Sequence, residues 1–197
     1  MAKQEARKPL IRNPLRRGHR NWTVAAVAVT SVALLVTAHP TLRSVAMGLP
    51  LLVAGVALRL WAAGHLVKVR ELTVSGPYAH TRNPLYVGTF LIGSGFTVAA
   101  GTAVAAIAVP IGLLLFFGYY FPRKEHKESA LLESLYGEPY CAYHAAVPAL
   151  LPRWRAWSPG GDAGTPRWSF ERVRGNSEFG VTLTVALAIA ALALHAL

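Results

Sequence analysis

Gly76-Pro77-Tyr78-Ala79-His80-Thr81-Arg82-Asn83-Pro84-Leu85-Tyr86-Val87-Gly88 is a polar, turn-forming stretch set between two long apolar runs. Lipid cannot satisfy irregular backbone, so such a segment in a membrane protein lies at the water boundary or lines a cavity. Outward from it, five apolar runs stand out: Trp22 to Ala38, Val45 to Gly64, Tyr86 to Ala100, Ala103 to Phe121, and Phe179 to Leu197. Each approaches the ~20 residues that a helix needs to cross the hydrocarbon core. The runs are continuous rather than alternating, which favours helices over a barrel. Only Gly101-Thr102 separate the third run from the fourth, and the two read as a tight helical hairpin.

Composition agrees. Hydrophobic residues make up 53% of the 197 and charged residues only 15%, with a mean hydropathy of +0.37. The single cysteine, Cys141, excludes an intrachain disulfide and a multi-cysteine metal site and reads as a half-buried thiol. The net charge of +11 would suit nucleic acid, but its placement argues against that partner. Lys3, Arg7, Lys8, Arg12, Arg16, Arg17 and Arg20 crowd the first 20 positions and read as an arm on anionic headgroups. A signal peptide is the alternative, but no small-residue cleavage site follows the first apolar run and further runs come after it.

The basic residues also set the topology. With the arm in the cytoplasm, five spans put residues 65–85 and 122–178 on the same side. Those loops hold Lys68, Arg70 and Arg82, then Arg123, Lys124, Lys127, Arg153, Arg155, Arg167, Arg172 and Arg174. Only Arg43 is left outside and Arg59 within a span, as the positive-inside rule requires. All nine acidic residues fall on the inner side. The expected fold is therefore all-α, a polytopic protein of the cell membrane with its C-terminus on the opposite side. Its divisions are an arm at 1–21, a core at 22–152, a cytoplasmic loop at 153–178 and a fifth transmembrane helix at 179–197.

Within the second inner loop, Leu131, Leu132, Leu135, Tyr136 and Tyr140 recur at helical spacing among charges. Gly137 and Pro139 interrupt them. This pattern predicts an interfacial helix continuing from the fourth span, a turn and a short second helix. The Pro- and Gly-rich stretch at 148–168, with Trp154, Trp157 and Trp168, predicts a loop at headgroup level. Gly88, Gly93 and Gly95 on the third span fit close helix packing, or room for a flat ligand.

Few residues offer chemistry. Arg59 is a charged group inside a span, read either as snorkelling from the inner end or as holding a substrate or structural partner. No Ser-His-Asp order, P-loop or zinc spacing is present, and His65, His80, His126 and His144 match no metal motif. More specific is a second block, Glu128-Ser129-Ala130-Leu131-Leu132-Glu133-Ser134-Leu135-Tyr136-Gly137-Glu138-Pro139-Tyr140-Cys141-Ala142-Tyr143, followed by Val147-Pro148 and Pro152.

In order and spacing, the two blocks resemble the isoprenylcysteine carboxyl methyltransferase and phospholipid methyltransferase superfamily of integral membrane enzymes. The resemblance covers about half of the chain, roughly residues 50 to 152. It implies an S-adenosylmethionine site at the cytoplasmic face. It also implies that Arg70, Glu71, Leu72, Thr73, Tyr78, Asn83, Pro84, Leu85, Tyr86 and Glu128 hold this cofactor, and that Lys124, with Arg123 beside it, orients the acceptor. Such residues suit methyl transfer, in which positive charge on sulfur is lost and the protein mainly aligns donor and acceptor and excludes water.

Two positions depart from the family pattern. Asn83 stands where the motif has histidine and cannot take up a proton near neutral pH, which favours cofactor positioning over proton transfer. Ser129 stands where the second glutamate is expected, leaving any contact there to a hydroxyl. The resemblance assigns the fifth span no role, so packing on the core or a homodimer contact is open to it. Membrane lipids and a lipophilic methyl acceptor are the expected partners. A sterol-reductase-type enzyme using NADPH, with a basic groove at 153–174, and a non-catalytic lipid-binding protein are the competing readings.

Overall fold

The computed structural model describes residues 38–67, 71–101, 110–158 and 167–197. The arm and the first predicted span, apart from Ala38, lie outside these residues, as does the start of the fourth span. Among the described residues all regular structure is helical.

Helix α1 runs over Leu42–His65 and α2 over Pro84–Ala100. Thr41 and Ser44 open α1 with a reciprocal capping box, each side chain accepting from the other's backbone N–H at 3.1 and 2.9 Å. The Ser44 hydroxyl reaches the Ala99 carbonyl at 2.9 Å and ties this end of α1 to the far end of α2. Pro84 starts α2, where its missing N–H costs nothing, and Gly101 ends it at φ +66.

The two helices are antiparallel and glycine brings them together. A Cβ at Gly48 would stand 2.4 Å from the Gly95 carbonyl, and one at Gly55 2.8 Å from the Gly88 carbonyl. Seven residues separate the glycines on each helix, so two close approaches recur along one seam. Close packing is thus the role of Gly88 and Gly95, whereas Gly93 faces open space.

Residues 110–115 are helical and pass through a π-turn, Phe116–Tyr120, directly into α3, Phe121–Tyr136. Gly137, at φ +59, turns the chain into α4, Glu138–Ala146. Here the predicted helix, turn and short helix appear, with Pro139 in the first turn of α4 rather than breaking a helix. Helices α5, Phe170–Gly175, and α6, Glu178–His195, complete the chain.

Helices α1 and α6, at 24 and 18 residues, are long and apolar enough to cross a membrane by length and composition; α2, at 17, is a shorter apolar helix. Helix α6 packs on the α1–α2 pair at two levels. Val185 meets Leu52 and Ile92, and further along Leu192 joins Ala38, Val45, Ala99 and Ala100. Large side chains such as Met47, Val53, Leu183 and Leu187 point outward instead, as lipid-facing residues do.

The segment before α6 closes the end of α1. The last carbonyls of a helix lack intrahelical partners, and here Ser169 N–H serves Gly64 at 3.0 Å and the Asn176 amide serves Ala63 at 2.9 Å, while the Trp168 indole adds a bond to the Leu60 carbonyl one turn earlier at 3.3 Å. A Cβ on Gly64 would collide with the Trp168 ring. Of the three loop tryptophans, Trp168 therefore seats on α1 and Trp157 packs on Tyr143, while Trp154 is 97% exposed.

Candidate functional site

The Tyr78–Asn83 stretch is held by α4 and the chain that follows it. The Tyr143 hydroxyl donates to the Tyr78 carbonyl at 2.8 Å. Backbone N–H groups of Arg82, Arg153 and Trp157 bond the carbonyls of Pro148, His80 and Ala79 at 2.9 Å each. The Thr81 hydroxyl and the Asn83 amide both donate to the Ala149 carbonyl, at 3.1 and 3.0 Å. An irregular segment thereby satisfies its polar groups without regular structure. Asn83 acts here as a clamp on Ala149, just after Val147-Pro148, a task that needs a donor and no charge.

This clamp sets the first block against α3, and a cavity of about 560 Å³ opens between them, a size usual for small-molecule sites. Glu71, Leu72, Thr73, Tyr78, Asn83, Pro84, Leu85, Tyr86, Lys124 and Glu128 all line it. Arg70 lies outside the described residues. Arg123 does not line the cavity: its guanidinium stacks on the Tyr119 ring, 3.6 Å from the centroid, and donates to the Tyr119 carbonyl. One residue along a helix turns a side chain by about 100°, which separates Arg123 from Lys124.

Lys124 sits over the Tyr86 ring, 4.9 Å from its centroid, and 3.9 Å from Glu128. Phe116 and Phe121 approach the same ring at 6.2 and 5.8 Å. Desolvation pulls the Lys124 pKa down, but the Tyr86 hydroxyl and the charge of Glu128 outweigh it and hold the pKa above the usual lysine value. Lys124 is therefore a cation throughout the neutral range.

Sequence reasoning missed Arg82 and Glu125. Arg82 Nη1 lies 2.8 Å from Glu125 Oε1 as an ion pair, though its N–H is not aimed along that contact. The Ser129 hydroxyl reaches the same oxygen at 3.3 Å and accepts from Tyr140 at 2.8 Å. Ser129 thus relays between Tyr140 and Glu125. A charged pattern cannot reveal this pairing, because it joins residues 43 apart across the hairpin.

Three buried polar atoms of cavity residues have no hydrogen-bond partner among the described residues: the Tyr78 hydroxyl, Arg82 Nε and Arg82 Nη1, the last being ion-paired with Glu125 without an aligned N–H. Tyr78 is only 7% exposed. Burial, then the charge of Glu178, raises its pKa, so the phenol stays a neutral donor. An unpaired buried donor costs about 1–3 kcal/mol, and the Tyr78 hydroxyl and Arg82 Nε both belong to residues that line the cavity, where a ligand's acceptors, met by a small turn of the side chain, would relieve them. That chemistry fits a polar cofactor with carboxylate or hydroxyl oxygens.

Arg59 also lines the cavity, and it does not snorkel. It is held by Glu178 in a two-pronged ion pair, Nε to Oε2 at 2.9 Å and Nη2 to Oε1 at 2.7 Å. Its Nη1 donates to the Leu85 carbonyl and the Thr89 hydroxyl. Among the described residues no group of three His, Cys, Asp or Glu side chains is placed to hold a metal ion.

Comparison with known proteins gives partial similarities. The chain is 29% identical over 140 residues to the nickel-cobalt-cadmium resistance protein NccN of Alcaligenes xylosoxydans xylosoxydans, spanning 70% of this chain and 63% of that protein. It is 33% identical over 97 residues to the cobalt-zinc-cadmium resistance protein CzcN of Cupriavidus metallidurans, 48% of this chain and 43% of that one. It is 32% identical over 81 residues to the protein-S-isoprenylcysteine O-methyltransferase of Schizosaccharomyces pombe, 41% of this chain and 33% of the relative. The chain thus spans less than two thirds of the length of each of these relatives. No family model matches it, and no solved structure does.

Proposed function

We propose that this chain is an integral membrane methyltransferase that uses S-adenosylmethionine and modifies a lipophilic acceptor at the cytoplasmic face. The reading rests above all on one observation. Residues from both sequence blocks line a single cavity that leaves the Tyr78 hydroxyl and Arg82 Nε unpaired. The partial similarity to an isoprenylcysteine methyltransferase supports it.

Bound S-adenosylmethionine would supply a methyl group on a sulfonium. The chain's own residues have simpler tasks. Tyr78 and Arg82 donate to ligand oxygens, and Glu128 accepts from an amino or ribose group. Tyr86, with Lys124 on its ring, closes one wall. Lys124 is the cation that orients an anionic group on the acceptor, a role it takes alone because Arg123 is turned away. Carboxylate, amine and thiol acceptors all remain compatible with this lining. Leu131, Leu132 and Tyr136 give the cavity an apolar side that suits an acceptor arriving from the bilayer.

The proposed topology keeps five spans, with α1, α2 and α6 as the second, third and fifth and the cavity at the cytoplasmic ends. Resistance to metals, for which two relatives are named, would then follow from a modified membrane component. Isothermal titration with S-adenosylhomocysteine tests the reading. Saturable binding is expected, and a folded sample that binds none overturns it.

A further inference from the structure

Glu178 is buried at 5% exposure, and it opens α6, the helix to which the methyltransferase motifs assign nothing. Its backbone approach is unusual. Ser177, just before it, has φ +63, a left-handed conformation that a non-glycine residue adopts at a cost. Asn176, one residue earlier, is bonded to the end of α1. The chain thus docks on α1, turns through a strained residue and delivers one carboxylate to Arg59.

Arg59 spans from that carboxylate to α2. Its stem crosses Gly88, where a Cβ would stand 2.5 Å from Arg59 Cγ. Its Nη1 then bonds the Leu85 carbonyl, at 3.2 Å, and the Thr89 hydroxyl, which itself donates to the Leu85 carbonyl at 2.8 Å. Leu85 and Thr89 bracket Tyr86 and Gly88 on the first turns of α2, where the cavity wall is formed.

We propose that Glu178 is a positioning residue of the cavity. By gripping Arg59 it fixes the first turns of α2, and so makes α6 a working part of the site. The ligand-binding part of this inference rests on the methyltransferase reading; the fixing of α2 does not. An arginine forked onto a carboxylate on one side and onto a carbonyl on the other transmits orientation because both ends are geometrically constrained.

The test uses full-length protein carrying Glu178→Gln, with Glu178→Asp as the milder variant should the first fail to fold. Without any ligand, amide exchange over residues 84–89 should quicken about tenfold in the variant, while α4 stays as in the wild type. Where the wild type binds S-adenosylhomocysteine, the variant should bind it about tenfold more weakly. The exchanged pair Arg59→Glu with Glu178→Arg separates positioning from stapling. It should recover the melting temperature but not the protection of residues 84–89, because a glutamate at 59 has no N–H for Leu85 and Thr89. Wild-type exchange in Glu178→Gln, or recovery of both properties by the exchanged pair, overturns the proposal. A wild type that binds no S-adenosylhomocysteine ends the methyltransferase reading and leaves the exchange result standing.

Discussion

Tyr78 separates function from stability in one atom. Its hydroxyl is buried without a partner among the described residues, so Tyr78→Phe should leave the melting temperature unchanged or slightly raised. Ligand affinity should fall by roughly the value of one hydrogen bond, about 0.5–1.5 kcal/mol, measurable by titration with S-adenosylhomocysteine. Asn83 predicts the reverse. Its amide serves the Ala149 carbonyl, so Asn83→Ala should cost about 1 kcal/mol of stability in denaturant unfolding, with ligand affinity changed less. Ten of the twelve site residues taken from the motifs line the cavity, because motif spacing within a turn or a helix is local geometry. Arg82, Glu125 and the use of Asn83 were not legible, because each depends on what another part of the chain places opposite it.

Among the elements, the α1–α2 seam makes the sharpest forecast. Gly88→Ala would press a methyl against the Arg59 stem and the Gly55 carbonyl, and overpacking of this kind costs about 1–3 kcal/mol. Gly93→Ala meets nothing within 4 Å and should gain up to about 1 kcal/mol of helix propensity. Thermal unfolding of the two variants in detergent checks both signs. Sequence could show three glycines on one helix but not which of them face a neighbour. That depends on the phase of α2 against α1, set by Gly48 and Gly55 on the other helix. The helices at the second, third and fifth apolar runs were legible to within a few residues, since a long continuous apolar run leaves little choice of structure. The role of α6 was not, because Glu178 gains its meaning only from Arg59, 119 positions earlier.

For the whole molecule, the lone thiol reports sidedness. Cys141 lies partly exposed on α4, and the proposed topology puts α4 in the cytoplasm. A membrane-impermeant maleimide should label it in inverted vesicles and not in right-side-out ones. Partial burial, with the carboxylates of Glu133 and Glu138, raises its pKa. Labelling should therefore go on accelerating as pH rises past about 9, rather than levelling there as for an ordinary thiol. The π-turn at Phe116–Tyr120 bears on the molecule at the same scale. A π-turn accommodates one residue more than an α-helix would, so the apolar stretch before it and the charged stretch after it are out of phase by about 100°. That offset works like a vernier, letting lipid choose the facing of the first half while Tyr86 chooses that of Lys124 and Glu128. Straightening the turn into an α-helix with every residue kept would swing both side chains about 100° out of the cavity, whereas deleting Gly118 would take up the extra residue and leave their facing unchanged.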